Sequence, residues 1–187
     1  LVLMTGVLFY QAYSRYEMAA NASASNEMIS DLLQSASLWA QERGVTSRSL
    51  GGADPGPGDV VAKIKEQRES ADNNYKNAMD LLGKSSLSVD PTYKENIQKA
   101  FDAVQDLRNK VNDNLSKSKS ARDAAVVSGW MPAISSLIIE SQKLRLSIAT
   151  QSTSFHPALG GDMLARHALW LMEEYAGRER GVLAGII

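Results

Sequence analysis

Two Glu-Arg-Gly-Val tetrapeptides, at residues 42–45 and 179–182, stand near opposite ends of this 187-residue chain. An arginine beside a glutamate at the edge of an apolar helical run suits either an internal ion pair or the capture of an anion. At about 100° per residue, Arg43 falls at the edge of the stripe made by Ile29, Ala36, Ala40 and Leu50. Arg68 lies between Ile64, Ala71 and Tyr75, and Arg178 continues Leu171 and Tyr175. Three helical segments thus each carry an arginine where a leucine is expected. Arg48 and Arg180 point elsewhere. Trp39, one turn before Arg43, either stacks on its guanidinium or fills core space.

Burying a guanidinium is costly unless an opposite charge and hydrogen bonds compensate it. Two explanations therefore compete. Glu42, Glu69, Glu174 and Glu179 are close enough in sequence to neutralise the interior arginines, whose long stems also snorkel. Alternatively a bound anion supplies the missing charge, and arginine's planar fork suits a flat, multi-oxygen anion better than lysine's point charge.

The segments that must position these arginines are helical almost throughout, with no convincing period-2 strand. The first is predicted to run from the N-terminus to about Leu50. Residues 51–59, with four glycines and two prolines, break it, and Asp59 is placed to cap a second helix through Ile64, Ala71, Tyr75, Ala78 and Leu82. Asp90 and Pro91 open a third, with a stripe of Ile97, Phe101, Val104, Leu107, Val111 and Leu115. Residues 116–123 read as a loop or a polar helical turn. Ser128-Gly129 before Trp130 and Pro132 predicts a kink or a fresh start to a fourth helix carrying Ile134, Leu137, Ile138, Leu144 and Ile148. A break over 154–162 leaves Asp162 to cap the last helix. Its second apolar strip, Leu169, Met172, Ala176, Leu183 and Ile187, asks for a partner, so a homodimer is expected. The fold expected is all-α, an elongated up-and-down bundle of four to six helices.

Composition narrows the function. The net charge of -1 sets up no overall attraction to nucleic acid, and no nucleic-acid partner is expected. With no cysteine, thiol catalysis, disulfides and zinc-thiolate sites are excluded. His156 and His167 match no common metal spacing and read as structural. No phosphate-binding glycine loop and no Ser-His-Asp set is present, so neither an enzyme nor a cofactor is expected.

At "LLQSASLWAQERGVTSRSLGG" and "EYAGRERGVLAGII" the chain resembles the nitrate- and nitrite-sensing (NIT) domain family, and "QRESAD" at 67–72 is similar to a segment of that family's second helix. The similar segments cover about a third of the chain; Gln41 departs from the further basic residue found in many relatives. The resemblance implies an all-helical sensor that binds nitrate or nitrite between helices through arginines and passes the signal to an output domain. Arg43, Arg178 and Arg180 carry over to the family's motifs.

Residues 1–9 are nearly all apolar and are followed by Tyr10, Tyr13, Arg15 and Tyr16, the side chains that settle at lipid headgroups. Residues 1–16 are therefore expected to be the end of a truncated transmembrane helix or its juxtamembrane continuation, and 17–187 the sensor domain. "GVLAGII" predicts that the chain continues. The combined expectation is the periplasmic or extracellular sensor region of a receptor in a bacterial inner membrane, anchored by flanking transmembrane helices. Two alternatives stay open: a chemoreceptor-type bundle binding an organic ligand near Trp39, Tyr75 or Trp170, and a ligand-free structural or interaction module.

Overall fold

The helical periodicity is realised as five α-helices: α1 (Val2–Gly51), α2 (Gly58–Lys84), α3 (Pro91–Leu115), α4 (Ala124–Phe155) and α5 (Pro157–Ala184). These belong to a computed structural model that describes residues 2–52, 58–155 and 157–184. No strand occurs among the described residues. The 50 residues of α1 make a rod of about 75 Å at roughly 1.5 Å per residue. It packs along α2 and α4; α3 lies on α4, and α5 rests on α4 and more lightly on α1. Side chains close the ring between α2 and α3, where Tyr75 and Phe101 meet at 4.5 Å between centroids.

Local chemistry explains the element starts. The Asp90 side chain accepts the Thr92 backbone N–H at 2.9 Å, and Pro91 occupies the first turn, where its missing N–H costs nothing. That hydrogen bond holds the Asp90 carboxyl below the ordinary aspartate value. Asp90→Ala is accordingly expected to lower the melting temperature at neutral pH. A carboxylate whose folded value is depressed contributes its stability above the unfolded value, so the gap to the parent is complete above about pH 4. It closes as the pH falls through the lowered Asp90 value, which melts across that range would show. Residues 116–123 form a short connection with a 3-10 turn at Lys119–Ala121. From it Arg122 donates to the carbonyls of Ser49, Leu50 and Gly52 at the end of α1, and to those of Asn114 and Lys117 at the end of α3. One buried guanidinium thus serves the exposed carbonyl ends of two helices.

Four expectations need correction. Ser128-Gly129 does not restart a helix: α4 runs through it with Pro132 inside. Trp130 and Ile134, both fully buried on either side of the proline, anchor the helix in the core and offset the lost hydrogen bond. Asp162 caps nothing. It is an exposed residue within α5, which begins at Pro157 because proline's fixed φ and absent N–H favour a first helical position. The second helix starts at Gly58, placing Asp59 inside its first turn; the Asp59 side chain, like His156, lies outside the described residues. On α5 the buried face is Met163, Trp170 and Glu174, whereas Tyr175, expected on the core stripe, is exposed. The second strip is exposed at Leu169, Met172 and Ala176, and the side chains of Leu183 and Ile187 lie outside the described residues.

α4 is long and apolar enough over Ala124–Ser152 to cross a membrane, with a mean hydropathy of 1.3. In this fold it is a core helix, contacting α1, α3 and α5 and fully burying Ile134, Leu137, Ile138, Leu144 and Ile148. The first turns of α1 differ: Val7, Leu8, Phe9, Tyr10, Tyr13 and Tyr16 are all exposed.

Candidate functional site

Glu42 and Arg43 are neighbours in sequence, so their side chains leave α1 about 100° apart. Each enters a different buried charge cluster. Glu42, completely buried, faces α2 and α3. Its Oε1 accepts from Arg68 Nε at 2.5 Å and from Arg108 Nε at 3.0 Å, while Oε2 accepts from Arg108 Nη2 at 2.5 Å. Arg108 also donates from Nη1 to both Asp72 oxygens at 2.9 and 2.8 Å, and Arg68 Nη1 reaches Asn112 Oδ1 at 2.6 Å. Two guanidinium groups meet two carboxylates, and the charges balance. Burial penalises the Arg108 charge more than any other single effect, yet the hydrogen bonds and charges of Glu42 and Asp72 together hold its pKa above the ordinary arginine value. Arg68 goes the other way, lowered by burial and, to a lesser degree, by the Arg108 charge.

Arg43, 4% exposed, faces α4 and α5. Its Nη1 and Nη2 donate to the two oxygens of Glu174 at 2.6 and 2.9 Å, and Nη1 also reaches Ser135 Oγ at 3.3 Å. Arg178, one turn beyond Glu174, donates from Nε to the same Oε1 at 2.6 Å. Trp130 Nε1 donates to the Arg43 carbonyl at 3.4 Å. Here two guanidinium groups share one carboxylate, which leaves an excess of positive charge; Arg43 and Glu174 are buried, whereas the Arg178 side chain is 35% exposed.

A third feature escaped the reading of the sequence. Arg145 of α4 is 3% exposed, and its guanidinium carbon lies 4.3 Å from the centre of the Trp170 ring. Its buried Nε and Nη2 have no hydrogen-bond partner among the described residues. Burial alone pushes its pKa down to about 10, and its charge helps burial lower that of His167. Trp170 precedes Glu174 by one helical turn, so Arg145 reaches the face of α5 that Arg43 also reaches.

Of the residues singled out above, Arg43 and Arg178 therefore converge on one carboxylate, while Arg68 belongs to the separate Glu42 cluster. Arg48 is exposed in the last turn of α1. Trp39 does not stack on Arg43: it is fully buried against Tyr75 and Phe101, at 5.8 and 6.3 Å between ring centres. Two residues four apart differ by about 40° in helical phase, enough for Trp39 to face α2 and α3 while Arg43 faces α5. The arginine–ring contacts among the described residues are Arg145 on Trp170 and Arg178 beside Tyr175. The Arg180 side chain lies outside the described residues. Glu42 and Glu174 neutralise interior arginines, but Glu69 and Glu179 are exposed, and Glu69 lies 3.9 Å from Lys65. Arg108 and Arg145 were missed although the signal was present. Arg108 sits between Val104 and Val111 at helical spacing, and Arg145 follows Leu144 and precedes Ile148 by three positions.

Five long helices enclosing a charged interior define a helical-bundle domain in which guanidinium groups cross between helices. A family model described as nitrate and nitrite sensing matches residues 39–187, most of the chain and all of these charged clusters. The chain belongs to that family and is a nitrate- and nitrite-sensing domain. No curated protein and no solved structure matches it significantly.

Proposed function

We propose that the domain binds nitrate or nitrite directly at the α1–α5 contact through Arg43 and Arg178, as the sensor region of a bacterial transmembrane receptor. The observation that carries this is the unequal charge of the Arg43–Glu174–Arg178 group, two cations to one anion at a helix–helix junction. A planar oxyanion supplies the second negative charge and competes with Glu174 for the same guanidinium edges. Arg48, exposed in the last turn of α1, adds positive potential to the approach. A ligand that replaces Glu174 on Arg43 changes what holds α5 against α1, and a bundle with two packings then shifts toward the one that binds the ligand better. The exposed aromatic and aliphatic side chains of residues 7–16 support a membrane-proximal stem, and the exposed Leu169–Met172 strip supports a homodimer. Both fit a periplasmic domain between flanking transmembrane helices.

Calorimetric titration with nitrate, nitrite, chloride and sulfate at fixed ionic strength tests the proposal. Saturable binding of nitrate or nitrite, absent with chloride, is expected, weakened roughly tenfold or more in Arg43→Ala and Arg178→Ala. Unchanged affinity in both variants would remove the proposed pocket. A ligand-free structural module draws support from the internal pairing of Arg43, Arg68 and Arg108, and it predicts silence with all four anions. An organic-ligand pocket at Trp39 and Tyr75 has less in its favour, because both rings are consumed in the core with Phe101.

A further inference from the structure

We infer that Arg145 is a further anion-binding residue of this sensor, its Nε–Nη2 edge taking two oxygens of one planar oxyanion while Trp170 backs the guanidinium plane. This rests on reading the domain as a direct anion binder and adds a residue that reading does not require. The geometry comes from a comparison within the chain. Arg108 grips Glu42 through the same edge, with Nε on one carboxylate oxygen and Nη2 on the other. Carboxylate, nitrite and nitrate present the same pair of coplanar oxygens, so an edge shaped for one accepts the others.

Charge makes the same point. Five arginines are buried among the described residues. Arg43, Arg68 and Arg108 hold carboxylates, and Arg122 holds the carbonyl ends of two helices. Arg145 has neither; the ring face of Trp170 offsets only part of the cost of burying its charge. Its lowered pKa, near 10, has burial as its sole cause. The position also suits the proposed transition. Trp170 and Glu174 are one turn apart on α5, so an anion on Arg145 lies on the α5 face that Arg43 holds through Glu174, and links α4 to the junction between α1 and α5.

The test uses the full chain and the variants Arg145→Lys and Arg145→Met, titrated with nitrate, nitrite, formate and chloride at fixed ionic strength, with melting curves in the absence and presence of each anion. The wild-type domain is expected to bind nitrate or nitrite and to melt higher in its presence. Both variants should bind roughly tenfold or more weakly and lose that thermal shift. Without ligand, the methionine variant should melt as high as the parent or higher, because an unpaired buried cation has been removed; a purely structural arginine would give the opposite result. If the methionine variant fails to fold, the lysine variant decides, since it keeps the charge and loses the fork. Formate binding as tight as nitrate would assign the edge to planar oxyanions in general and leave the inference standing. Wild-type binding that both variants retain undiminished overturns the role of Arg145 and leaves the sensor reading intact. Silence from the wild-type domain overturns both.

Discussion

Glu42→Gln is expected to cost the domain about 3–5 kcal/mol, the range for removing one member of a buried ion-pair network. Glu42 is completely buried, and three of the hydrogen bonds that tie α1 to α2 and α3 end on its two oxygens. The substitution keeps the volume and one acceptor oxygen but removes the charge, leaving Arg68 and Arg108 close together with Asp72 as their remaining counter-ion. Arg68 is already lowered by burial and by its neighbour's charge, so it has the least to spare. Urea unfolding should show a lower midpoint with an unchanged slope, meaning lost stability without a change in the surface exposed. In thermal melts the same loss corresponds to roughly 10 °C for a chain of this size. A loss below about 1 kcal/mol would mean that water or rearrangement solvates the two arginines, and the cluster would not hold α1, α2 and α3 together. Nitrate should not restore this variant, since Glu42 faces away from the α1–α5 junction.

Glu174→Gln separates the two roles proposed for the other cluster. Arg43 loses its charged partner across α1 and α5, and Arg178 loses the oxygen it shares. In anion-free buffer the loss of stability should again approach about 3 kcal/mol, because a guanidinium 4% exposed is left facing a neutral amide. Affinity moves in the other direction. If nitrate competes with the Glu174 carboxylate for the guanidinium edges, removing the competitor should tighten nitrate binding by roughly tenfold, the worth of one charge-assisted hydrogen bond. Saturating nitrate should then recover much of the lost stability by mass action. Melts with and without nitrate, paired with titrations, read both effects from one protein. Weaker nitrate binding in this variant would refute competition and make Glu174 the residue that positions Arg43 and Arg178 for the ligand.

The two variants contrast a balanced cluster with an unbalanced one, and the proposed anion site rests on that imbalance. The Glu42 group has as many carboxylates as guanidinium groups and behaves as a structural tie. The Arg43 group does not, and Arg145 adds a further positive charge on α4. The excess charge at the junction and the unpartnered edge of Arg145 are separate observations in the same part of the bundle.

Much of this architecture was determined by the sequence alone. Helical spacing of apolar residues is a property of each segment by itself, so the helices, the stripe on α3 and the Asp90-Pro91 start were legible without any knowledge of neighbours. The inward phase of Arg43 and Arg68 was legible for the same reason. Where local signals misled, a tertiary contact overrode them: Trp130 and Ile134 carry α4 through Pro132, and the face of α5 turned out to centre on Trp170 and Glu174. Which carboxylate meets which arginine was decided only in three dimensions. Arg43 pairs with a glutamate 131 residues away while its sequence neighbour Glu42 turns to α2 and α3, and Glu69 and Glu179 stay outside. Helical phase is local, but ion pairing depends on the rotation and axial offset between helices, which the packing of whole faces sets and no single segment encodes. The isolation of Arg145 follows from the same cause, because a missing partner is a property of every helix around it.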